Sequence, residues 1–270
     1  MNNSQYLFVR PDLNNSSAEN PIILRAYDSG FTGTTAFFRN RIFIETFSEI
    51  LGNLKKDVRI MIHACSIGAE AYSLAAWWQH EITPRFGFGL QIFASDMNSH
   101  FLAYAREGRY PREILQGMTP KERAWFHTEG DLVVIPASLK AMVKFCEPSN
   151  FITASPPLGG KHFDATLLMN ALTYVTPAEQ STAIMNIASC TRYIMCLTAF
   201  HPDQIKSDIS HSGFHPLKLN HREIHNGWSE RLSSIPLKAG APDYSWKLPP
   251  YEIQSKDYEW RYASIFIKDK

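Results

Sequence analysis

An α/β fold, with a mostly parallel sheet and helices on both faces, is what the sequence predicts, and three observations carry that reading. Arg59 to His63 is a short apolar run of strand composition. Ala64, Cys65, Ser66 and Gly68 then open a turn into the helical pattern of Tyr72 to His80, and Gln91 to Ser95 is a second apolar run, ending on Asp96. Strand, tight turn, helix and strand make a βαβ unit with an acid at the tip of its second strand. Such an acid is able to accept hydrogen bonds from a ribose diol. With only one glycine in the turn and no acid ending the first strand, this unit alone does not name the ligand.

At 270 residues the chain has the length of one large α/β domain with additions, which buries roughly three quarters of its unfolded surface, so one core is expected. A net charge of +1, with Lys and Arg nearly balanced by Asp and Glu, gives no footprint for nucleic acid or an anionic membrane. Cysteines at 65, 146, 190 and 196 have no CxxC spacing and read as buried thiols of a reducing compartment. The N-terminus has neither a basic nor an apolar leader region, and no apolar run reaches the roughly twenty residues of a membrane span. A cytoplasmic location is the expectation.

In chain order, residues 1–30 combine a brief apolar run, Tyr6 to Val9, with the polar stretch Asn14 to Asn20, and are expected to form an arm without a core of its own ahead of a domain over 31–270. From Thr34, the spacing of Phe37, Phe38, Ile42, Ile44, Phe47, Ile50 and Leu51 predicts an amphipathic helix that Gly52-Asn53 stops. Ser99 to Arg106 is a short helix, and Thr119-Pro120 is an N-cap with proline at the first helical position of a helix through Phe126. Leu132 to Ile135 and Met142 to Cys146 predict a small antiparallel hairpin, an insert spanning 128–146. Phe163 to Leu168, Ala178 to Cys190 and Tyr193 to Phe200 then read as strand, helix and strand. Leu217 to Ile224 and Tyr262 to Lys268 are expected as a closing antiparallel pair, joined by a long aromatic-rich cover over 225–261.

The residues around the βαβ unit point further. Thr34-Thr35-Ala36-Phe37-Phe38-Arg39-Asn40 stands upstream, CSIGAEAYS at 65–73 and FASDM at 93–97 lie inside, and LMNALTYV at 168–175 follows. In this order and spacing they resemble the CheR family, S-adenosylmethionine-dependent methyltransferases that esterify glutamate side chains of bacterial chemoreceptors. The resemblance runs from about Phe31 to Tyr174 and implies a Rossmann-like methyltransferase fold with a seven-stranded sheet. It implies that S-adenosylmethionine is the methyl donor, held by Thr35, Arg39, Ala64, Glu70, Asp96, Asn150, Phe151, Met169 and Asn170. Of these, Asp96 is the candidate for the ribose. Tyr174 is implied near the transferred methyl, and Arg39 is suited to gripping a carboxylate by a bidentate contact. Beside these stand plainer readings: Asp96 as the N-cap of the helix after it, Glu70 as a first-turn acid favoured by the helix dipole, and Tyr174 as an amphipathic rim residue.

The departures from the family are specific. Gly33 stands for its Asn, Ala69 and Ala71 for the first Glu and the Pro of its GEEPYS, and Met169 for the Arg of its Arg-Asn pair. The family's separate helical domain has no counterpart in the first thirty residues. The acceptor expected is therefore an oxygen, a carboxylate first and a hydroxyl second, on a small molecule or a protein other than a receptor. A chemoreceptor glutamate, or donor binding without catalysis, are the alternatives. Trp228 and Trp246 in the cover are candidate walls for that acceptor, though such aromatics also serve as packing anchors. His221 and His225, four apart, are read on strand spacing as too distant to share one ion, so no metal is expected.

Overall fold

The computed structural model describes residues 7–13, 21–153, 162–229, 253–254 and 256–268. Its strands are β1 (Phe8–Asp12), β2 (Ile23–Asp28), β3 (Phe31–Thr35), β4 (Val58–His63), β5 (Leu90–Ser95), β6 (Arg109–Pro111), β7 (His127–Glu129), β8 (Leu132–Val134), β9 (Val143–Phe145), β10 (Phe163–Leu168), β11 (Thr191–Leu197), β12 (Phe214–Pro216) and β13 (Ile265–Lys268). The helices are α1 (Arg41–Gly52), α2 (Ala69–Trp77), α3 (Thr83–Phe86), α4 (Ser99–Glu107), α5 (Pro120–Arg123), α6 (Ala137–Met142), α7 (Pro177–Cys190), α8 (Ile205–Ser210), α9 (His221–Ser229) and α10 (Tyr258–Arg261).

The main sheet has seven strands in the order β12-β13-β11-β10-β4-β5-β9. β10 runs parallel to both β4 and β11, and β5 runs parallel to β9, while β13 is antiparallel to β11 and β12. Chain order therefore reverses at β4, the kind of switch point beside which open α/β sheets bind ligands at the carboxyl ends of their strands. This is the predicted Rossmann-like arrangement. By its internal contacts the chain forms two compact units, not the single core expected. One comprises Met1–Arg39, Ser48–Val58 and Cys65–Pro148; the other comprises Asn40–Phe47, Arg59–Ala64 and Ser149–Lys270.

In the first unit the expected arm is instead an antiparallel meander, β1-β2-β3. Leu24, Ala26 and Asp28 alternate inward along β2, and Ser29 and Gly30, with φ of 43° and 88°, supply the left-handed pair that a tight hairpin requires. A boundary at residue 30 falls inside that hairpin. The helix predicted from Thr34 begins only at Arg41, because Phe31 to Thr35 pair with β2 and Phe38 adopts a left-handed φ of 49°. Phe37 and Phe38 pack edge-on to Tyr110, Phe126 and Trp125, so their spacing records burial in a turn and not a helix face.

The insert also differs from the expectation. The antiparallel hairpin is β7–β8 around Gly130, and with β6 it forms a separate small sheet. Residues 137–142 are helical, and β9 pairs in parallel with β5, where Val143 is buried at the edge of the main sheet. Thr119 is the predicted N-cap and closes a capping box with Glu122, but α5 ends at Arg123 because Trp125 and Phe126 turn towards Phe38 and Phe37.

In the second unit, β10, α7 and β11 form as predicted. All six residues of β10 are buried, and Thr176 caps α7 in a box with Glu179, with Pro177 at the first position. The closing strand is shorter than expected. It ends at Pro216, because Asn220 takes a left-handed φ of 53° and α9 starts at His221. α9 docks on the start of α1: Asn40 Nδ2 donates to the Ile224 carbonyl at 2.9 Å, Asn220 Nδ2 donates to Thr46 Oγ1 at 2.8 Å, and Trp228 meets Phe43 with ring centroids 5.7 Å apart. Most of the predicted cover over 225–261, including Trp246, lies outside the described residues.

Candidate functional site

The acid at the tip of β5 is held by backbone. Asp96 Oδ2 accepts the Ser66 N–H at 2.8 Å, Oδ1 accepts the Asn98 N–H at 3.0 Å, and the side chain is 8% exposed. Each oxygen of an ionised carboxylate has two lone-pair sites, so each keeps acceptor capacity, and the carboxylate is already oriented. Burial raises the Asp96 pKa, and the N–H bonds from Asn98 and Ser66 oppose that rise. The plainer reading of Asp96 as a helix cap does not hold: Asn98 caps α4, its Oδ1 accepting the N–H groups of His100 and Phe101.

The turn after β4 is built from backbone that side chains seldom adopt. Ala64, Ser66 and Gly68 all have left-handed φ, at 50°, 50° and 85°. The Cys65 N–H reaches the Ser95 carbonyl at 3.0 Å, tying this turn to the end of β5. Ser66 Oγ is buried with no hydrogen-bond partner among the described residues, an unmet polar group beside the Asp96 carboxylate. Sequence reasoning took Ser66 only as a small turn residue. The signal that would have marked it is a hydroxyl two residues before Gly68, the one glycine at the start of α2.

Glu70 stands in the first turn of α2, where burial pushes its carboxyl up to about 7, against the opposing pull of Arg39. Arg39 lies in the turn before α1 and not on a helix face, its position set by buried Phe38, whose N–H donates to Ser73 Oγ at 3.0 Å. Thr35 ends β3 and is buried. These residues and Asp96 all belong to the first unit.

The remaining predicted residues belong to the second. His63 and Leu168 are register partners, so Ala64 and Met169 follow adjacent strand ends. Asn170 has a left-handed φ of 59°; its N–H donates to Thr198 Oγ1 at 2.7 Å, and that hydroxyl lies 3.2 Å from Asn170 Oδ1. Thr198, which sequence reasoning did not single out, thus fixes both backbone and side chain of Asn170. Asn150 folds its own loop, accepting the Ile152 N–H at 2.8 Å, and Phe151 packs on the apolar cluster around Leu168 and Leu172. Tyr174 ends a short helical turn and is 74% exposed, free of the core.

Trp228 is 4% exposed and packed on Phe43, which supports the packing-anchor reading of this residue. His221 and His225 lie on a helix and not on a strand, both buried, with His225 held at about 4 by burial and its ring 4.5 Å from that of Tyr262. Among the described residues, no group of three or more His, Cys, Asp or Glu is gathered as for a metal ion, and no helix is long and apolar enough to cross a membrane.

Comparison with known proteins identifies the domain. Residues 33–211 match the family described as "CheR methyltransferase, SAM binding domain", well over half of the chain. The chain belongs to the CheR methyltransferase family. CheR-family relatives include the chemotaxis protein methyltransferases of Klebsiella aerogenes, 30% identical over 154 residues (55% of this chain, 52% of the relative), and of Borreliella burgdorferi, 27% identical over 173 residues (58% and 59%). This CheR-type chain thus spans between half and three fifths of the length of these relatives. Solved structures that resemble it include a magnesium protoporphyrin IX methyltransferase from Synechocystis with bound S-adenosylmethionine, at 15% identity over 67% of this chain and 71% of that one, TM-score 0.42.

S-adenosylmethionine, the donor of the CheR family, fits the residues present. The strained turn leaves the buried Ser66 hydroxyl unmatched, Asp96 offers two oriented acceptor oxygens, and Glu70 places a carboxyl in the same unit for a cationic group.

Proposed function

We propose that the protein transfers the methyl group of S-adenosylmethionine to an oxygen, a carboxylate first and a hydroxyl second, on a small molecule or a protein other than a chemoreceptor. When bound, the donor supplies an electrophilic methyl carbon. The chain's own residues then have three tasks. Asp96 and the turn at Ser66 bind the ribose end, Glu70 neutralises the donor's ammonium, and Arg39 and Tyr174 orient the acceptor. A carboxylate nucleophile is already an anion, so no side chain has to remove a proton. Rate then depends on alignment and exclusion of water. Four free, buried cysteines are consistent with the reducing cytoplasm as the place of action.

One observation carries the preference over the receptor reading: Met169 follows β10 where the resemblance calls for an arginine beside Asn170. An acceptor site without that cation is altered for the acidic side chains that receptors present. The receptor reading keeps support from the names of the relatives, chemotaxis protein methyltransferases. The deciding experiment supplies methyl-labelled donor with cell extract fractionated by size, beside a glutamate-bearing receptor segment. Label in the small-molecule fraction or a non-receptor protein, released as methanol by mild alkali, supports a carboxylate acceptor; alkali-stable label points to the hydroxyl. Label on the receptor segment alone overturns the preference, and donor binding without any turnover overturns the enzymatic reading.

A further inference from the structure

Asp28 lies upstream of the stretch that matches the CheR family, yet it is wired into the acid loop. It ends β2, is 6% exposed, and accepts three side-chain hydrogen bonds: Asn98 Nδ2 at 2.9 Å and His100 Nδ1 at 2.7 Å on Oδ2, and Ser29 Oγ at 3.0 Å on Oδ1. Asn98 is then fully engaged. Its Nδ2 is drawn to Asp28, its Oδ1 caps α4, and its backbone N–H holds Asp96 Oδ1. A second contact is independent of the first. A Cβ built on Gly33 of β3 would stand 2.4 Å from Ser66 Oγ and 2.8 Å from Phe101, so the meander lies directly against the Ser66 turn and the first turn of α4.

A buried carboxylate is costly unless fully paired, and this one stands a single residue's span from a second buried carboxylate, Asp96. Ordinary anchoring of a hairpin needs no such acid, because an amide or hydroxyl would hold Asn98 at lower cost. We infer that Asp28 is a positioning residue for the donor's ribose: by fixing Asn98 it aims the Asn98 N–H and sets the direction of the Asp96 carboxylate. The N-terminal meander is thereby part of the donor site. This rests on the reading that Asp96 takes the ribose hydroxyls.

The test uses the full chain and two probes, S-adenosylhomocysteine and its 2′-deoxyribose analogue, each titrated by calorimetry. A charge-assisted hydrogen bond to one hydroxyl makes the wild type prefer the parent compound by about tenfold or more. In Asp28→Ala the preference is expected to fall below about threefold, because a misdirected Asp96 no longer distinguishes the two sugars. Asp28→Asn, which keeps the shape and an acceptor oxygen, is expected to fall between, at least about twofold below wild type, and carries the test should the alanine variant melt. A role confined to holding the hairpin would weaken both probes by one factor and leave their ratio unchanged, which overturns the inference. Asp96→Ala separates the two levels of the argument. If it retains the preference, the ribose reading of Asp96 falls and the inference with it. If it abolishes the preference while both Asp28 variants keep it, the ribose reading stands and only the inference falls.

Discussion

The acid loop of the first unit and the tip of β10 in the second solve different problems. Around Asp96 the polar groups are fixed before any ligand arrives: backbone N–H groups hold the carboxylate, Asn98 is engaged through its amide and its backbone N–H, and Asp28 and His100 stand behind it. At the tip of β10 only Asn170 is comparably held, through Thr198, while Tyr174 projects into solvent. A donor of constant chemistry rewards a rigid, preorganised cradle, whereas an exposed side chain such as that of Tyr174 can adapt to an acceptor. On the proposed reading, the contrast directs the search for acceptor specificity to exposed Tyr174 and not to Asp96.

The largest expected effect separates the units by acid stability. His63 and His225, both in the second unit, are each held near 4 by burial, against about 6.5 unfolded. Their pKa values are lowered on folding, so the unfolded chain binds more protons between those limits. Their contribution is full above about pH 6.5 and is lost as pH falls towards 4, by about 3 kcal/mol for each histidine, while Glu70, raised to about 7 in the first unit, contributes with the opposite sign over the same window. Urea unfolding between pH 7 and 4 should show a smaller acid loss in His63→Gln than in the wild type, by about 3 kcal/mol. An identical pH dependence in the two proteins would break the assignment.

Next, Asp96→Ala is expected to weaken donor binding by about 2–4 kcal/mol, the loss of two charge-assisted hydrogen bonds, with an unaltered far-UV spectrum. Unchanged affinity in calorimetry would end the case for a preorganised cradle.

Glu70 offers a smaller, pH-dependent handle on the same side. Its folded pKa, pushed up to about 7, means that it is largely protonated below neutrality, and a cationic donor favours the ionised form. Donor affinity should rise as pH rises through 7, by about tenfold between pH 6 and pH 8, with proton release on binding in buffers of differing ionisation heat. Glu70→Gln should flatten that dependence.

The smallest effect tests the acceptor side. Tyr174→Phe is expected to lower turnover by roughly three- to tenfold while leaving donor affinity unchanged, because an exposed hydroxyl that orients the acceptor acts mainly in the transition state. Equal loss in both would move Tyr174 to the donor side and erase the contrast between the two regions.

The candidate site was legible in the sequence wherever one short segment carries both shape and chemistry. Asp96 ends an apolar strand, so periodicity placed it, whereas Glu70 and Asn170 were marked by the resemblance of the segments 65–73 and 168–175 to the CheR family. Asp28, Thr198 and the true cap Asn98 were not legible. Each acts through a partner distant in sequence or through a backbone N–H, and neither leaves a mark on local patterning. Arg39 was found but set on a helix, because Phe37 and Phe38 mimic a helical stripe while their burial comes from Tyr110, Trp125 and Phe126 across the unit.

By itself the sequence determined the βαβ unit, the β10, α7 and β11 succession, and the N-cap at Thr119, because strand and helix periods and cap hydrogen bonds act within a few residues. Only the tertiary structure decided that Phe8 to Asp12 and Ile23 to Asp28 enter a meander, that Val143 to Phe145 extend the main sheet, and that Leu217 to Ile224 give way to α9. The energies that settle those choices are strand pairing and burial between distant segments. β2 becomes a strand because β1 and β3 flank it, and α9 becomes a docked helix because Asn40 and Phe43 receive it.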